Sequence, residues 1–447
     1  MGRTYRLRKK RRLASPRSTC YRIGKNSNEI DEFTSLSLWM SREGWKPTCK
    51  IVPAMFPDTG RGFVARKKIE CDDVIVKIPG HLLITVKTVS DSRIGRLFND
   101  KKPFTAQQVI SAFLMWQKHE GENAFWYSYI ASLPNTSLSP VNLVEEELQL
   151  LPEFLARPIR AAKENITELH LDLINSLDDS DVCTNCNLPF SEIFSLDNFM
   201  WAWSMVNSRA VYISPERHSD HLINLSDENT LAMAPYLDMF NHSCNAKVQA
   251  YIDAKDDSYQ IRTCNSYLKN QQVFINYGSH SNLKLFLEYG FIIPGNHNDG
   301  IPITYDNIIS GVANYFPCFK MYSDVLNKRY KFLKNHEMLN NLNVHADGLS
   351  WNTKVAIYIL TSPEDVHPRA MQQKVFSGSF EARDIEIISN VGLYVVESKI
   401  VEYERILQNF NDRGEKHYSE NACLKMARDL LKEYLKVLDS CRASLNL

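Results

Sequence analysis

The sequence predicts an α+β protein of small β-sheets, with a helical insertion and an all-helical C-terminal domain. Three observations carry that expectation. Strand-like runs cluster at residues 63–79 and again at 248–263, a long helical pattern separates them, and the chain beyond residue 300 turns helical. No internal repeat interrupts this plan.

Residues 1–30 read as a polar, basic and disordered tail. Phe33, Leu36, Leu38, Trp39 and Met40 then mark a short amphipathic helix over residues 31–45. Phe63-Val64-Ala65 and Val74-Ile75-Val76-Lys77-Ile78-Pro79 read as two strands, with Glu70-Cys71-Asp72-Asp73 turning the chain between them. From about Thr105 to Ser176 the pattern is helical: Val109, Ile110, Phe113, Leu114 and Trp116 recur at helical spacing. The aromatic block Phe125-Trp126-Tyr127…Tyr129-Ile130 reads as core.

A polar, acidic loop at residues 177–187 precedes a helix carrying Phe199-Met200-Trp201-Ala202-Trp203. Val248–Ile252 and Tyr259–Thr263 form a hairpin around the polar loop Asp253–Ser258. Leu424, Ala427, Leu431, Leu435 and Leu438 lie on one face of the last helix. The organisation expected is a tail (1–30), a first domain (31–290, centred on about 49–278, with an insertion at about 100–195) and a helical domain (300–447).

Lys+Arg and Asp+Glu both number 52, so no global field would hold the whole chain on nucleic acid. The charge is uneven: Arg3, Arg6, Arg8, Lys9, Lys10, Arg11 and Arg12 precede the first acidic residue, Glu29. Such a run suits a solvated tail, a nuclear-import signal or a weak nucleic-acid contact. No apolar h-region follows it, and no apolar run approaches the ~20 residues a bilayer needs. Arg6 stands where a myristoylation motif wants Ser or Thr. Ten scattered cysteines fit reduced thiols in a cytosolic or nuclear protein. Cys183-Thr-Asn-Cys186 is one CxxC with no second pair nearby. Since a structural zinc site takes four ligands, the expectation is two loop thiols and no metal, with partial metal or redox chemistry as the competing reading.

The most informative stretch is Pro235-Tyr-Leu-Asp-Met-Phe-Asn-His-Ser-Cys-Asn245. Asn241 and His242 sit directly behind Leu237, Met239 and Phe240, and burying an amide or an imidazole costs a few kcal/mol each unless it is hydrogen-bonded. Taken alone, this is a polar turn closing a core strand. Thr59-Gly60-Arg61-Gly62-Phe63 upstream and Phe274-Ile275-Asn276-Tyr277-Gly278 downstream change that reading.

In that order, with Trp201-Ala202-Trp203…Asn207-Ser208-Arg209-Ala210-Val211-Tyr212 and Phe286-Leu287-Glu288-Tyr289-Gly290-Phe291, the chain resembles the SET-domain protein methyltransferases. The long insertion resembles the branch that includes the Rubisco large-subunit methyltransferase and the actin-histidine methyltransferase. The likeness implies a SET fold with a knotted cofactor site, S-adenosylmethionine as cofactor and a protein substrate, histone or non-histone, in nucleus and cytoplasm. It implies that Gly60 and Gly62 let the backbone approach the cofactor, with Arg61 between them lying along the site. Arg209 would meet the cofactor's methionine part, while Asp238, Asn241 and His242 would bracket its adenine. Tyr277 would be catalytic and also touch the cofactor, its hydroxyl aimed at the methyl-transfer channel. Tyr289 would touch cofactor, and Val211 and Phe291 would line the substrate channel. An apolar Val211, where the actin-histidine branch carries a polar residue, implies lysine rather than histidine. The region 300–447 resembles the helical substrate-binding domain of that branch. Histidine methylation and a catalytically silent peptide-binding module are the alternatives.

Overall fold

The computed structural model describes residues 21–22, 27–98, 102–178, 180–214, 223–228, 230–317, 324–363, 366, 368–412 and 421–446. The basic run at residues 3–12 lies outside them. The chain divides into two units: Met1–Ser137 with Ala161–Ser279, and Leu138–Arg160 with His280–Leu447.

The first unit opens on β1 (Tyr21–Arg22) and α1 (Ser27–Arg42), whose Phe33, Leu36 and Met40 are buried. Strands β2 (Ile51–Phe56), β3 (Gly60–Ala65) and β4 (Val74–Pro79) follow. The turn before β4 is closed by the Asp73 carboxylate, which accepts from the Glu70 amide at 2.9 Å. Later come β5 (Val211–Tyr212), β6 (Leu231–Ala232), β7 (Asn241–His242), β8 (Val248–Asp253), β9 (Ser258–Thr263) and β10 (Gln272–Ile275). They assemble as small sheets: β1-β2-β3-β10-β7, β4-β9-β8 and the pair β5-β6. The β8–β9 hairpin is in register from Val248↔Thr263 to Asp253↔Ser258, and Asp257 in its turn takes a positive φ of 49°, which Asp tolerates.

One pairing positions the site. β10 lies antiparallel to β3 (Val273↔Phe63) and parallel to β7 (Phe274↔Asn241, Ile275↔His242). Three segments distant in sequence therefore meet on neighbouring strands. Their hydrophobic backing is aromatic: Phe63 stacks obliquely on Tyr236 and Phe240, with ring centroids 4.7 and 4.5 Å away, and Trp45 lies 4.7 Å from Tyr236.

Helices of the insertion include α2 (Ala106–Glu120), α3 (Tyr127–Ser132) and Glu153–Ile174; α4 (Leu196–Arg209) follows. Thr105 caps α2 with a reciprocal box: its hydroxyl accepts from the Gln108 amide while Gln108 Oε1 accepts from the Thr105 amide. The predicted stripe Val109, Ile110, Phe113, Leu114 and Trp116 is buried. Ser195 caps α4, and Arg209 stands in its last turn.

The second unit is helical, with α5 (Tyr305–Tyr315), α6 (Trp351–Thr361), α7 (Ala382–Asp412) and α8 (Ala422–Leu445). Its core unites Val312, Ile357, Val391, Val395, Leu431 and Leu438, and Leu435 packs beside them. Beyond the helices expected there, the region carries a three-stranded sheet of β11 (Ile301–Pro302), β12 (Asn343–His345) and β13 (Gly348–Leu349). Strands this short leave no hydrophobic alternation to read. Residues 138–160, expected within the insertion of the first domain, belong to this unit because Leu143, Leu148, Leu155 and Ile159 are buried in its core.

A π-helical turn, Leu285–Tyr289, is closed by Gly290 in the left-handed region at φ 72°. A Cβ on Gly290 would lie 2.8 Å from the Leu138 main chain. We expect Gly290→Ala to destabilise the protein by about 2 kcal/mol, from left-handed backbone strain and that overlap; an unchanged urea midpoint would refute the assignment.

Candidate active site

The site begins at Gly60, in the left-handed region at φ 65°, where a Cβ would meet no atom of the chain within 4 Å. Gly62 is different. A Cβ there would sit 2.5 Å from Nδ2 of Asn241, and that Nδ2 donates to the Arg61 carbonyl at 2.8 Å. The absent side chain of Gly62 thus makes room for the amide of Asn241 and clamps β7 against β3. Arg61 reaches to the protein itself: its Nη1 donates to the Ser132 carbonyl at 3.1 Å and lies 4.0 Å from Glu32, and its guanidinium covers the Phe33 ring at 5.3 Å.

His242 is buried and accepts at Nδ1 from the Tyr277 amide at 3.0 Å. An accepting Nδ1 puts the proton of the neutral ring on Nε2, which is 3.7 Å from the Cys244 sulfur. The rings of His242 and Tyr277 lie 5.1 Å apart. The Tyr277 hydroxyl donates to the Phe240 carbonyl in a short hydrogen bond. This makes residues 240–242 and 277 one hydrogen-bonded body.

Beneath it lies a charged pair. The Asp238 side chain is buried, and Arg209 Nη1 stands 3.6 Å from its Oδ2 and donates to its main-chain carbonyl at 3.2 Å. Tyr129 donates its hydroxyl to the same Oδ2 at 2.9 Å. Burial pushes the Asp238 carboxyl upward, against the opposing pull of Arg209, Tyr129 and Arg61. Burial, then the Asp238 charge, hold Tyr129 well above the usual phenol range, so it remains a donor. Among the described residues, Nε of Arg209 is buried and meets no partner. A donor stranded this way costs free energy that an incoming acceptor recovers.

The structure thus brings Gly62, Arg61, Asn241, His242 and Tyr277 together, with Arg209 and Asp238 paired below. Val211 pairs with Ala232 across β5 and β6. Tyr289 and Phe291 belong to the second unit, where their rings lie 6.1 Å apart and Tyr289 stacks on His280 at 5.8 Å; burial raises the Tyr289 phenol.

A sequence model of the SET domain matches residues 60–278. SET domain-containing protein 4 of Mus musculus is 30% identical over 445 residues, covering 98% of this chain and 96% of the relative. The chain belongs to the SET-domain methyltransferase family. Human SET domain-containing protein 4 is 28% identical over 453 residues, covering 100% of this chain and 97% of its own length. The SET-domain fold is also that of the solved structure of LSMT bound to lysine and AdoHcy, at TM-score 0.61 and 19% identity, covering 93% of this chain and 91% of that one.

Two features of this SET domain escape a motif reading. Tyr129 sits in an aromatic block that reads as core, and core it is; only its hydroxyl, which a buried tyrosine must satisfy, hints at a buried acceptor. Gln272 donates to Thr59 Oγ1 at 2.8 Å, tying the start of β10 to the turn before Gly60 with no motif at all.

The Gly62–Asn241 contact predicts a coupled pair of substitutions. Gly62→Ala is expected to cost about 1–3 kcal/mol by overpacking, and Asn241→Ala about 1 kcal/mol through its lost hydrogen bond. In the double variant the clash is relieved, so the two effects should fall short of additivity by roughly 1 kcal/mol. Additive urea-denaturation energies would exclude this packing.

Proposed function

We propose that the protein transfers a methyl group from S-adenosylmethionine to lysine side chains of protein substrates, histone or non-histone. One observation carries the reading: the Asn241–His242 strand is tied by side-chain hydrogen bonds both to the Gly60–Gly62 start of β3 and to the Tyr277 segment, beside an arginine with a stranded buried donor. The open Cβ direction of Gly60 and the Nε of Arg209 suit a cofactor that brings a carboxylate. Bound there, the cofactor would supply an electrophilic methyl group.

Arg209 would orient the carboxylate by a charge-assisted hydrogen bond, held in place by Asp238 and Tyr129. Asn241 and His242 would face the adenine; the side chain of Asn241 is partly committed to Arg61, leaving recognition to its remaining polar edge and to the main chain of β7. Lysine, with a reference pKa near ~10.4, must shed a proton before it attacks. An apolar wall such as Val211 would disfavour the ammonium by desolvation. Tyr277, its proton directed to Phe240, would offer its hydroxyl oxygen to the amine N–H and align the nitrogen. Alignment of this kind contributes up to roughly 7–11 kcal/mol in favourable cases.

Lysine is favoured over histidine because Val211 offers an imidazole no polar partner. We assign the helical second unit to protein docking, in keeping with a likeness to SET domain-containing protein 4 that spans both units. The basic tail suits nuclear as well as cytoplasmic residence.

Labelled S-adenosylmethionine with core histones and cytosolic extract tests the reading. We expect label on lysine, and a loss of about 100-fold or more in kcat with Tyr277→Phe, with cofactor affinity little changed. Label on histidine in the mass spectrum would overturn the residue assignment. Cofactor binding without turnover would make the protein a peptide-binding module, and no cofactor binding would sink the roles of Gly60, Arg209 and Asn241.

A further inference from the structure

The CxxC loop has a third partner that its sequence does not announce. The sulfurs of Cys183 and Cys186 and a ring nitrogen of His119 all lie within 4.8 Å of one another. His119 comes from the last turn of α2, more than sixty residues upstream. Nε2 of His119 is 3.3 Å from the Cys186 sulfur. Tetrahedral zinc, with bonds of about 2.3 Å to sulfur and about 2.0 Å to nitrogen, holds such ligand atoms about 3.5–3.8 Å apart. The observed separations, all within 4.8 Å, exceed that spacing by about 1 Å at most.

The loop backbone already presents a donor to one of the two sulfurs. The Asn185 amide points at the Cys183 sulfur, 3.4 Å away. Asn187, directly after the second cysteine, turns the chain at φ 61°. The loop is closed by Cys183 N–H to the Leu188 carbonyl and Asn187 N–H to the Cys183 carbonyl, both 2.8 Å, and by the Val182–Pro189 bridge. An amide aimed at a sulfur is a ready hydrogen-bond donor to that sulfur as a metal ligand. Asn185 also donates to Glu120 at 2.8 Å, which holds the loop against the end of α2 whatever the cysteines do. That contact brings His119 to the cysteines without drawing on their chemistry.

We propose that His119, Cys183 and Cys186 form a zinc site that fastens the 181–189 loop to α2. Two thiols and a neutral imidazole are a donor set suited to this borderline-soft cation. On binding, both thiol protons leave to solvent, and the two thiolates balance the charge of the dication. Cys186 is exposed, so a water completes the four-coordinate shell. The loop leads through a short helix, Phe190–Ile193, to α4, which carries Arg209, and the metal therefore braces the insertion without entering the methyl-transfer chemistry. This site is independent of the function proposed above.

The test uses the full chain, stripped of metal by chelation and kept reduced. Cobalt(II) titration should give one equivalent per chain, with a thiolate-to-cobalt charge-transfer band and the visible bands of tetrahedral cobalt. Zinc should displace the cobalt and raise the melting temperature. Cys186→Ser and His119→Gln, both outside the core, should retain the far-UV circular dichroism of the wild type while losing the visible bands and the zinc-induced rise. Reduced wild-type protein that shows no thiolate–cobalt band would overturn the site, as would variants whose bands and affinity match the wild type.

Discussion

The first unit depends on a side chain occupying the place where another residue has none. Asn241 puts its amide into the space left open at Gly62 and bonds the Arg61 carbonyl. That single bond links β7 to β3, although β10 lies between them in the sheet. A parallel pair as short as β7–β10, two residues long, has little cohesion of its own. The cross-strand amide, the His242–Tyr277 hydrogen bond and the Tyr277–Phe240 hydrogen bond supply what the ladder lacks.

Under that clamp, the buried carboxylate of Asp238 solves its solvation problem with one hydrogen-bond donor, Tyr129, and one cation, Arg209. A buried ion pair seldom adds much stability by itself, because desolvation offsets the attraction. Its value here is positional: Tyr129 and Arg209 converge on one oxygen, and the guanidinium is fixed with a donor left over. The polar groups of the site are therefore arranged by the fold before any ligand arrives, the condition under which electrostatic recognition costs least reorganisation.

The second unit is organised on a different principle. Its core is continuous and mostly aliphatic, with the stacked rings of Tyr403 and Tyr434 inside it; α7 and α8 contribute long buried faces, and the small sheet of three short strands adds Ile301, Val344 and Leu349 to the same core. It also gathers residues 138–160, a piece of chain that sequence order alone assigns to the other unit. Hydrophobic burial, which has no direction, tolerates such an exchange of segments as long as Leu143, Leu148, Leu155 and Ile159 find apolar neighbours.

Much was legible in the sequence itself. The strands at 63–65 and 74–79, the hairpin at 248–263, the stripe on α2 and the face of α8 follow from periodicity, because burial repeats with the period of each backbone. The order of the motifs around Gly60, Arg209, Asn241 and Tyr277 was enough to indicate a SET domain. What only tertiary structure decided is which groups touch: that Gly62 is small for Asn241, that Arg61 turns to Ser132 and Glu32, that Tyr129 from an aromatic block completes the Asp238 pair, and that His119 stands beside Cys183 and Cys186. Periodicity registers the face a residue presents; it carries no information on the partner met across the core, which depends on how separate elements pack.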